Sequence, residues 1–176
     1  MTPKRMELSP SAVPYACELV ADKLSPEYRQ HEEFESFAMR RGTRLEGQAR
    51  KWLEFALDQD VTQVGLVISK CGRMACSPDG LFGLEGGEEG LELKALMPKS
   101  HVLALNSGEI PSEYLTQVHG SMIVTGRRRW TFVSWCPELP PLVVKVAWSS
   151  YTDKLAEALE KFHDLHAGIL KKIQEM

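Results

Sequence analysis

The apolar residues of this chain change their spacing several times, and this change restricts the possible folds more than any other feature. Apolar residues recur at helical spacing between Glu32 and Leu57, and a run rich in β-branched residues follows from Val61 to Ser69. Helical spacing predicts an amphipathic helix, whereas the β-branched run predicts a strand. Both patterns recur further along the chain. The order therefore predicts an α/β fold with a mixed central β-sheet and helices on its faces.

The pattern also predicts individual elements. We expect helices at 12–23, 32–57, 99–108 and 111–125, a final helix capped by Thr152 or Asp153, and strands at 61–69, 73–76, 81–84, 90–96, 129–136 and 142–148. Gly42 is expected to split the second helix. Gly126 is expected to cap the fourth, since glycine is common after a helix end. Ser77–Gly80 has the composition of a tight turn, in which Gly80 would adopt positive φ.

Length and composition indicate one globular domain. The chain has 176 residues, of which 43% are hydrophobic and 26% charged. These values are typical of a folded domain, so we predict a single domain over residues 1–176 with a short lead at 1–10. No apolar run reaches the 18–20 or so residues of a membrane helix, and the first residues do not resemble a secretory signal. The expected location is the cytoplasm of a bacterial or phage-infected cell.

The four cysteines and five histidines show no zinc-site spacing. Cys17, Cys71, Cys76 and Cys136 form no CxxC pair, so we predict reduced thiols. His163 and His166 lie three residues apart on the predicted final helix and could hold a metal ion. A half-solvated helix face is the simpler interpretation.

The chemistry concentrates between residues 79 and 94. Asp79 lies in the predicted turn, and Glu92 and Lys94 occupy alternate positions of a strand. Alternate residues share one face of a strand, so Glu92 and Lys94 lie together while Leu93 faces the other way. If the turn folds back beside this strand, Asp79 joins them. Two carboxylates with water suit Mg²⁺. Taken singly, however, both the turn that contains Asp79 and the charged pair on the strand are common in purely structural roles.

Together these residues form a more specific pattern. Pro78-Asp79 followed by Glu92-Leu93-Lys94 resembles the active-site motif of the PD-(D/E)xK nuclease superfamily. The flanking segments resemble the phage lambda-type alkaline exonuclease family in the same order over roughly residues 12–172. They are Glu46-x-x-Ala49-Arg50, Arg73-x-Ala75-Cys76-Ser77-Pro78-Asp79-Gly80-Leu81, Gly90-Leu91-Glu92-Leu93-Lys94 and Tyr114-x-x-Gln117-Val118-x-x-Ser121-Met122.

The resemblance implies a restriction-endonuclease-like core and a metal-dependent deoxyribonuclease. Members of the family use Mg²⁺ or Mn²⁺, with two ions per site, and degrade one strand of linear duplex DNA from its 5′ end. They release mononucleotides and leave a 3′ single strand for an annealing protein. Many of them form trimeric rings around the DNA.

The resemblance also implies roles for individual residues. Asp79, Glu92 and the backbone carbonyl of Leu93 would hold the metal, and Glu46 would approach a second ion. Lys94 would position or activate the attacking water. Gln117 would help to place the water or the scissile nucleotide, and Ser77 would contact a DNA phosphate.

Three departures from the family pattern stand out. No counterpart of the N-terminal segment that binds the 5′-phosphate is apparent, which puts 5′-end preference and processivity in question. The loop before Glu92 is long and acidic, with Glu85, Glu88 and Glu89, so we expect it to point away from the duplex. No acidic residue of the family's kind precedes Arg73.

The net charge of −3 argues mildly against DNA, but the charge distribution argues for it. Bound divalent ions would reverse the local sign at the acidic site. The basic residues gather in runs that could attract phosphates, namely Arg40-Arg41, Arg44, Arg50-Lys51 and Arg127-Arg128-Arg129.

Two alternatives to the exonuclease stay open at this stage. One is a structure-specific or nicking endonuclease of the same superfamily. The other is a DNA-binding or partner-binding remnant without catalysis, although the presence of Asp79, Glu92 and Lys94 favours an enzyme.

Overall fold

The structure, a computed structural model, describes residues 8–28, 37–83 and 87–176. These residues fall into two compact units, one within Met1–Phe34 and Asp153–Met176 and the other within Glu35–Thr152. The helices are α1 (Ala12–Leu24), α2 (Phe37–Leu57), α3 (Pro98–Ser107), α4 (Ser112–Thr125) and α5 (Ser150–Gln174), with a 3₁₀ turn at Pro26–Tyr28. The strands are β1 (Val67–Ile68), β2 (Ala75–Cys76), β3 (Gly80–Phe82), β4 (Glu89–Lys94), β5 (Arg129–Ser134) and β6 (Leu142–Ala147).

The larger unit contains the predicted mixed sheet. Its four strands lie in the order β3-β4-β5-β6, with β4 and β5 parallel and the other two pairs antiparallel. A separate two-stranded sheet joins β1 to β2. The prediction of an α/β fold with a mixed central sheet is therefore confirmed. That residues 1–176 form one nuclease domain stays a prediction.

Each face of the four-stranded sheet carries its own hydrophobic cluster. Side chains alternate along each strand, so neighbouring residues contribute to opposite faces. The first cluster brings α2 to one face and consists of Ala49, Leu53, Val61, Phe82, Leu91, Leu93 and Val133. The second brings α4 to the other face and consists of Leu81, Ile110, Val118, Met122, Trp130 and Phe132. The sheet is thus held between two helices.

The smaller unit is helical. In α1 the buried residues Ala12, Ala16 and Val20 recur every four positions, as an amphipathic helix requires. Tyr15 stacks on Phe162 of α5, with 5.7 Å between the ring centroids.

Several helix ends follow their predicted chemistry. Gly126 ends α4 at a φ of 71° and donates its N–H to the Met122 carbonyl at 2.8 Å, which confirms the predicted cap. The cap predicted for α5 at Thr152 or Asp153 is wrong by three or four residues. The helix begins at Ser150, and Ser149 exchanges hydrogen bonds with the first turn: its Oγ accepts from the Tyr151 N–H, and its N–H donates to Thr152 Oγ1.

The structure corrects three local predictions. Gly42 does not split the second helix, since α2 continues through it; residues 32–36 of that prediction lie outside the described part. The predicted strand 61–69 is divided, because Thr62 bridges to Leu81 of the main sheet whereas Val67–Ile68 pairs with β2. Gly80 does not have positive φ; instead a Cβ there would collide with the Val61 side chain.

Other predictions concern the thiols and the membrane. All four cysteines are free thiols, as predicted. No helix in the described ranges is long and apolar enough to cross a membrane.

Gly90 and Gly47 offer a matched test of the packing. A Cβ on Gly90 would overlap the indole ring of the fully buried Trp130, whereas a Cβ on Gly47 would meet no atom within 4 Å. We expect Gly90→Ala to lower the free energy of unfolding by about 1–3 kcal/mol or more. Gly47→Ala should raise it by about 0.5–1 kcal/mol, because alanine is the better helix former.

Urea denaturation of the two variants and the wild type measures both effects. Equal free energies of unfolding for Gly90→Ala and the wild type would contradict the close approach of β4 to Trp130.

Candidate active site

The site forms where β3 leaves the edge of β4. The two strands pair from Gly80 opposite Leu91 to Phe82 opposite Glu89. Beyond Leu91, β4 continues to Lys94 with β5 as its one strand neighbour in the described structure. Asp79 takes the place of the missing neighbour. Its N–H donates to the Leu91 carbonyl at 3.2 Å, and its Oδ2 accepts the Leu93 N–H at 2.6 Å. The expectation that the turn folds back beside Glu92 and Lys94 is confirmed.

Glu92 is the most deeply buried charged group of the site. Its side chain is 2% exposed, and its Oε1 accepts from Lys94 Nζ at 2.5 Å and from Gln117 Nε2 at 2.6 Å. Its Oε2 is buried and has no hydrogen-bond partner among the described residues. A buried carboxylate oxygen without a partner is costly, which makes this atom a candidate ligand for a cation.

Helix α2 brings two further residues to the site. Arg50 Nη2 donates to the Asp79 carbonyl at 3.3 Å, and the partly buried Glu46 is close enough to raise the pKa of both Asp79 and Glu92 by charge repulsion. Glu46 and Arg50 lie one helical turn apart on one side of α2. Within the described ranges, however, no three His, Cys, Asp or Glu side chains come together closely enough to hold one metal ion.

Burial and mutual repulsion dominate the electrostatics. Burial, and then the Asp79 carboxylate, raise the pKa of Glu92 to about 7. Burial also raises the pKa of Asp79, which the Leu93 N–H only partly offsets. Burial alone would lower the pKa of Lys94, but the Glu92 and Asp79 carboxylates outweigh it and raise that pKa. Lys94 is therefore a protonated donor at neutral pH.

Tyr114 is a site residue that the sequence pattern placed on the apolar side of its helix. Lys94 Nζ lies 5.4 Å from the centre of its ring, which in turn stacks on Phe132 at 5.7 Å. A cation over an aromatic face is attracted to it, so Tyr114 helps to hold the ammonium group near Glu92. The sequence did carry one signal for this role: Tyr114 lies three residues before Gln117, about one helical turn away and on the same side of the helix.

Ser77 is exposed and forms no hydrogen bond with the residues that the structure describes. It therefore does not cap the turn at Asp79. Its contact with a DNA phosphate stays a prediction.

Two arginines of the basic runs contact backbone carbonyls of the fold, and their role in attracting phosphates stays a prediction. The buried guanidinium of Arg127 donates to the carbonyls of Phe82, Gly83 and Glu89 at 3.1, 2.7 and 2.9 Å. Arg41 donates to the Ala95 and Leu96 carbonyls at 2.5 and 3.0 Å. These contacts engage both guanidinium groups with backbone oxygens.

The acidic loop lies at the other end of the β3–β4 hairpin from Asp79. Glu88 pairs with Arg129 at 3.2 Å, and Glu89 pairs with Lys145 at 2.5 Å, while Glu85 lies outside the described residues. The path of a duplex relative to this loop stays a prediction.

Comparison with known families now identifies the chain. The model of the YqaJ-like viral recombinase domain matches residues 6–128. This chain belongs to the YqaJ-like viral recombinase family. The family is lambda exonuclease-like, so the resemblance to lambda-type alkaline exonucleases is confirmed. A search of curated proteins finds no match to this YqaJ-like chain.

Solved structures agree on the fold. LHK-Exo, an alkaline exonuclease from Laribacter hongkongensis, is 24% identical and superimposes with a TM-score of 0.70 over 99% of this chain and 93% of its own. Its crystal structure in complex with dAMP gives the same values. A phage-related exonuclease from Haemophilus somnus 129PT is 12% identical, with a TM-score of 0.65 over 97% and 87% of the two chains. The YqaJ-like chain therefore has the fold of phage-type exonucleases.

The burial of Glu92 predicts a specific pH dependence of stability in divalent-free buffer. Its pKa rises from 4.5 to about 7 on folding, so between these values the folded protein holds a proton that the unfolded chain has lost. Stability from this group is present below pH 4.5 and disappears as the pH rises through about 7. Glu92→Gln should remove this dependence, and thereby gain up to about 3 kcal/mol relative to the wild type between pH 5 and pH 8.

Urea unfolding of both proteins at the two pH values measures the difference. Glu88→Gln is the matched control, because the Glu88 side chain is 60% exposed. An identical pH profile for Glu92→Gln and the wild type would contradict the buried carboxylate.

Proposed function

We propose that this chain is a metal-dependent exonuclease that degrades one strand of linear duplex DNA from its 5′ end. The observation that carries the proposal is the buried Glu92 carboxylate, which lies next to Asp79 and Lys94 and keeps one oxygen without a partner in the described structure. Membership of the YqaJ-like viral recombinase family supports it. LHK-Exo binds dAMP, a deoxynucleoside monophosphate, and such mononucleotides are the products expected here.

The donor set fits Mg²⁺ or Mn²⁺. Asp79 and Glu92 supply carboxylate oxygens, and hard divalent cations of this kind need only one or two carboxylates besides water and phosphate. The Leu93 carbonyl is a suitable third ligand, because the N–H of the same residue already points to Asp79 and both groups lie on one edge of the strand. A bound ion would polarise the phosphate and stabilise the charge that develops on its oxygens.

A second ion stays a prediction that depends on Glu46. The charge of this residue raises the pKa of both Asp79 and Glu92. Within the described structure, however, the three carboxylates do not lie close enough together to hold one ion. DNA phosphate oxygens and water would have to complete such a site.

The remaining residues position the reacting groups and neutralise charge on the phosphate. Lys94, held protonated by the carboxylates, can donate a hydrogen bond to the attacking water or to a phosphate oxygen; it acts as a donor rather than as a base. Gln117 Nε2 holds Glu92 Oε1, so Oε2 is the oxygen that would bind the ion. Arg50 fixes the Asp79 backbone, and Tyr114 restricts the Lys94 ammonium group.

The choice of substrate can be tested with a digestion panel in Mg²⁺. We expect the protein to degrade linear duplex with a 5′-phosphate, to release mononucleotides, and to leave covalently closed circular duplex intact. Linear duplex with a 5′-hydroxyl and a single strand complete the panel and report the end preference. Cleavage of closed circles would instead indicate an endonuclease of the same superfamily.

The same assay tests the site residues. Lys94→Ala and Asp79→Ala should each lower the rate by at least about 100-fold, because Lys94 neutralises charge that develops on the phosphate and Asp79 would hold the metal ion. Lys99→Ala, on the exposed surface of α3, is the matched control and should retain the wild-type rate. Circular dichroism separates loss of chemistry from loss of folding. Full activity of Lys94→Ala would contradict the proposed site.

For processive digestion we propose a ring of three copies in the cytoplasm of a bacterial or phage-infected cell, with an annealing protein taking over the 3′ strand. A single small chain cannot encircle a duplex. Val102 and Leu103 are 51% and 60% exposed on α3 and offer apolar surface for contact between copies.

Sedimentation velocity of the purified protein tests the ring. We expect a species of three times the chain mass, and a monomer at micromolar concentration would contradict the ring.

A further inference from the structure

Helix α2 carries a distinct solvent-exposed face that the proposed chemistry does not use. With 3.6 residues per turn, five exposed residues fall within an arc of about 80° on this helix. They form what we call the outer face of α2 and consist of Arg40, Arg44, Gln48, Lys51 and Phe55. The opposite side of the helix bears Leu45, Ala49 and Leu53, which are buried in the core.

The outer face is positively charged. Arg44 and Lys51 form no ion pair with the residues that the structure describes. Of the acidic side chains that the structure describes within α2, Glu54 accepts the Val61 N–H through its Oε1 at 3.0 Å, and Glu46 faces the catalytic carboxylates. Asp58 follows the helix end. The face therefore complements an anion.

Phe55 adds an apolar platform to this charge. Its side chain is 88% exposed. It lies one helical turn beyond Lys51 and about 16 Å along the axis from Arg44. An exposed aromatic ring beside cations is the combination with which proteins bind single-stranded nucleic acid, since the cations contact phosphates and the ring stacks on a base.

We propose that the outer face of α2 binds the single-stranded part of the DNA, with phosphates at Arg44 and Lys51 and a base stacked on Phe55. A single strand is the favoured occupant because duplex bases are already stacked on each other and expose no face to Phe55. The inference rests on the proposed nuclease function. The helix that carries this face also carries Glu46 and Arg50, so the strand and the cleavage site are held by one rigid element.

Equilibrium binding without divalent ions tests the inference. The probe is a fluorescein-labelled thymidine oligonucleotide of about 20 nucleotides, long enough for typical single-strand sites, followed by anisotropy at several salt concentrations in EDTA. Arg44→Ala/Lys51→Ala should reduce the slope of log K against log salt by about 1.4, since each lost phosphate contact removes about 0.7. The wild-type slope would be unchanged in Lys70→Ala, an exposed lysine outside the face.

The aromatic contact has a separate signature. Phe55→Ala should weaken binding by at least about fivefold without changing the salt slope, whereas Phe55→Trp should retain the affinity. All these side chains are exposed, so the substitutions should leave folding nearly unchanged, which circular dichroism checks.

The results separate this inference from the proposed function. Wild-type affinity and slope in both the double variant and Phe55→Ala would overturn the inference, even if Lys94→Ala abolishes cleavage. Lack of oligonucleotide binding by the wild type would overturn it as well. If the double variant and Phe55→Ala lose binding as predicted but the wild type cleaves no DNA, the single-strand site is supported and the nuclease function is refuted.

Discussion

The hydrogen bond from the Leu93 N–H to Asp79 Oδ2 is the contact on which the site depends. It forms where β3 departs from β4 and leaves this edge of β4 without a strand neighbour among the residues that the structure describes. A backbone donor at such an edge needs a partner, and the Asp79 carboxylate supplies it. The bond that closes the edge of the sheet thus also places the first acidic group of the site.

The site is built at the expense of stability. Glu92 is almost completely buried, and its pKa is raised because burial and Asp79 both oppose its charge. Lys94 and Gln117 compensate only one of its two oxygens. This unfavourable burial of Glu92 persists because α2 and α4 hold the sheet from both faces. Their hydrophobic clusters contain fully buried residues such as Leu53 and Trp130. A bound cation would relieve the same repulsion, so the features that destabilise the apoprotein are those that favour a metal.

Helix α2 serves three surfaces at once. Leu45, Ala49 and Leu53 form its buried side, Glu46 and Arg50 approach the acidic site, and Arg44, Lys51 and Phe55 face solvent. The helical repeat distributes neighbouring residues around the axis, so a short segment can do all three. The basic run in this helix accordingly divides, with Arg41 bonded to backbone carbonyls and Arg44 exposed.

The sequence by itself determined the mixed α/β order, the shared face of Glu92 and Lys94, and the helix end at Gly126. These follow from the local rules of alternation in a strand and of glycine after a helix. The family motif also placed Asp79 and Gln117 near Glu92. Only the tertiary structure decided that Thr62 and Val67 belong to different sheets, that Arg127 is buried among carbonyls, and that Tyr114 lies beneath Lys94. Those contacts join residues far apart in the chain, and residue spacing carries no information about which partner a side chain meets across the fold.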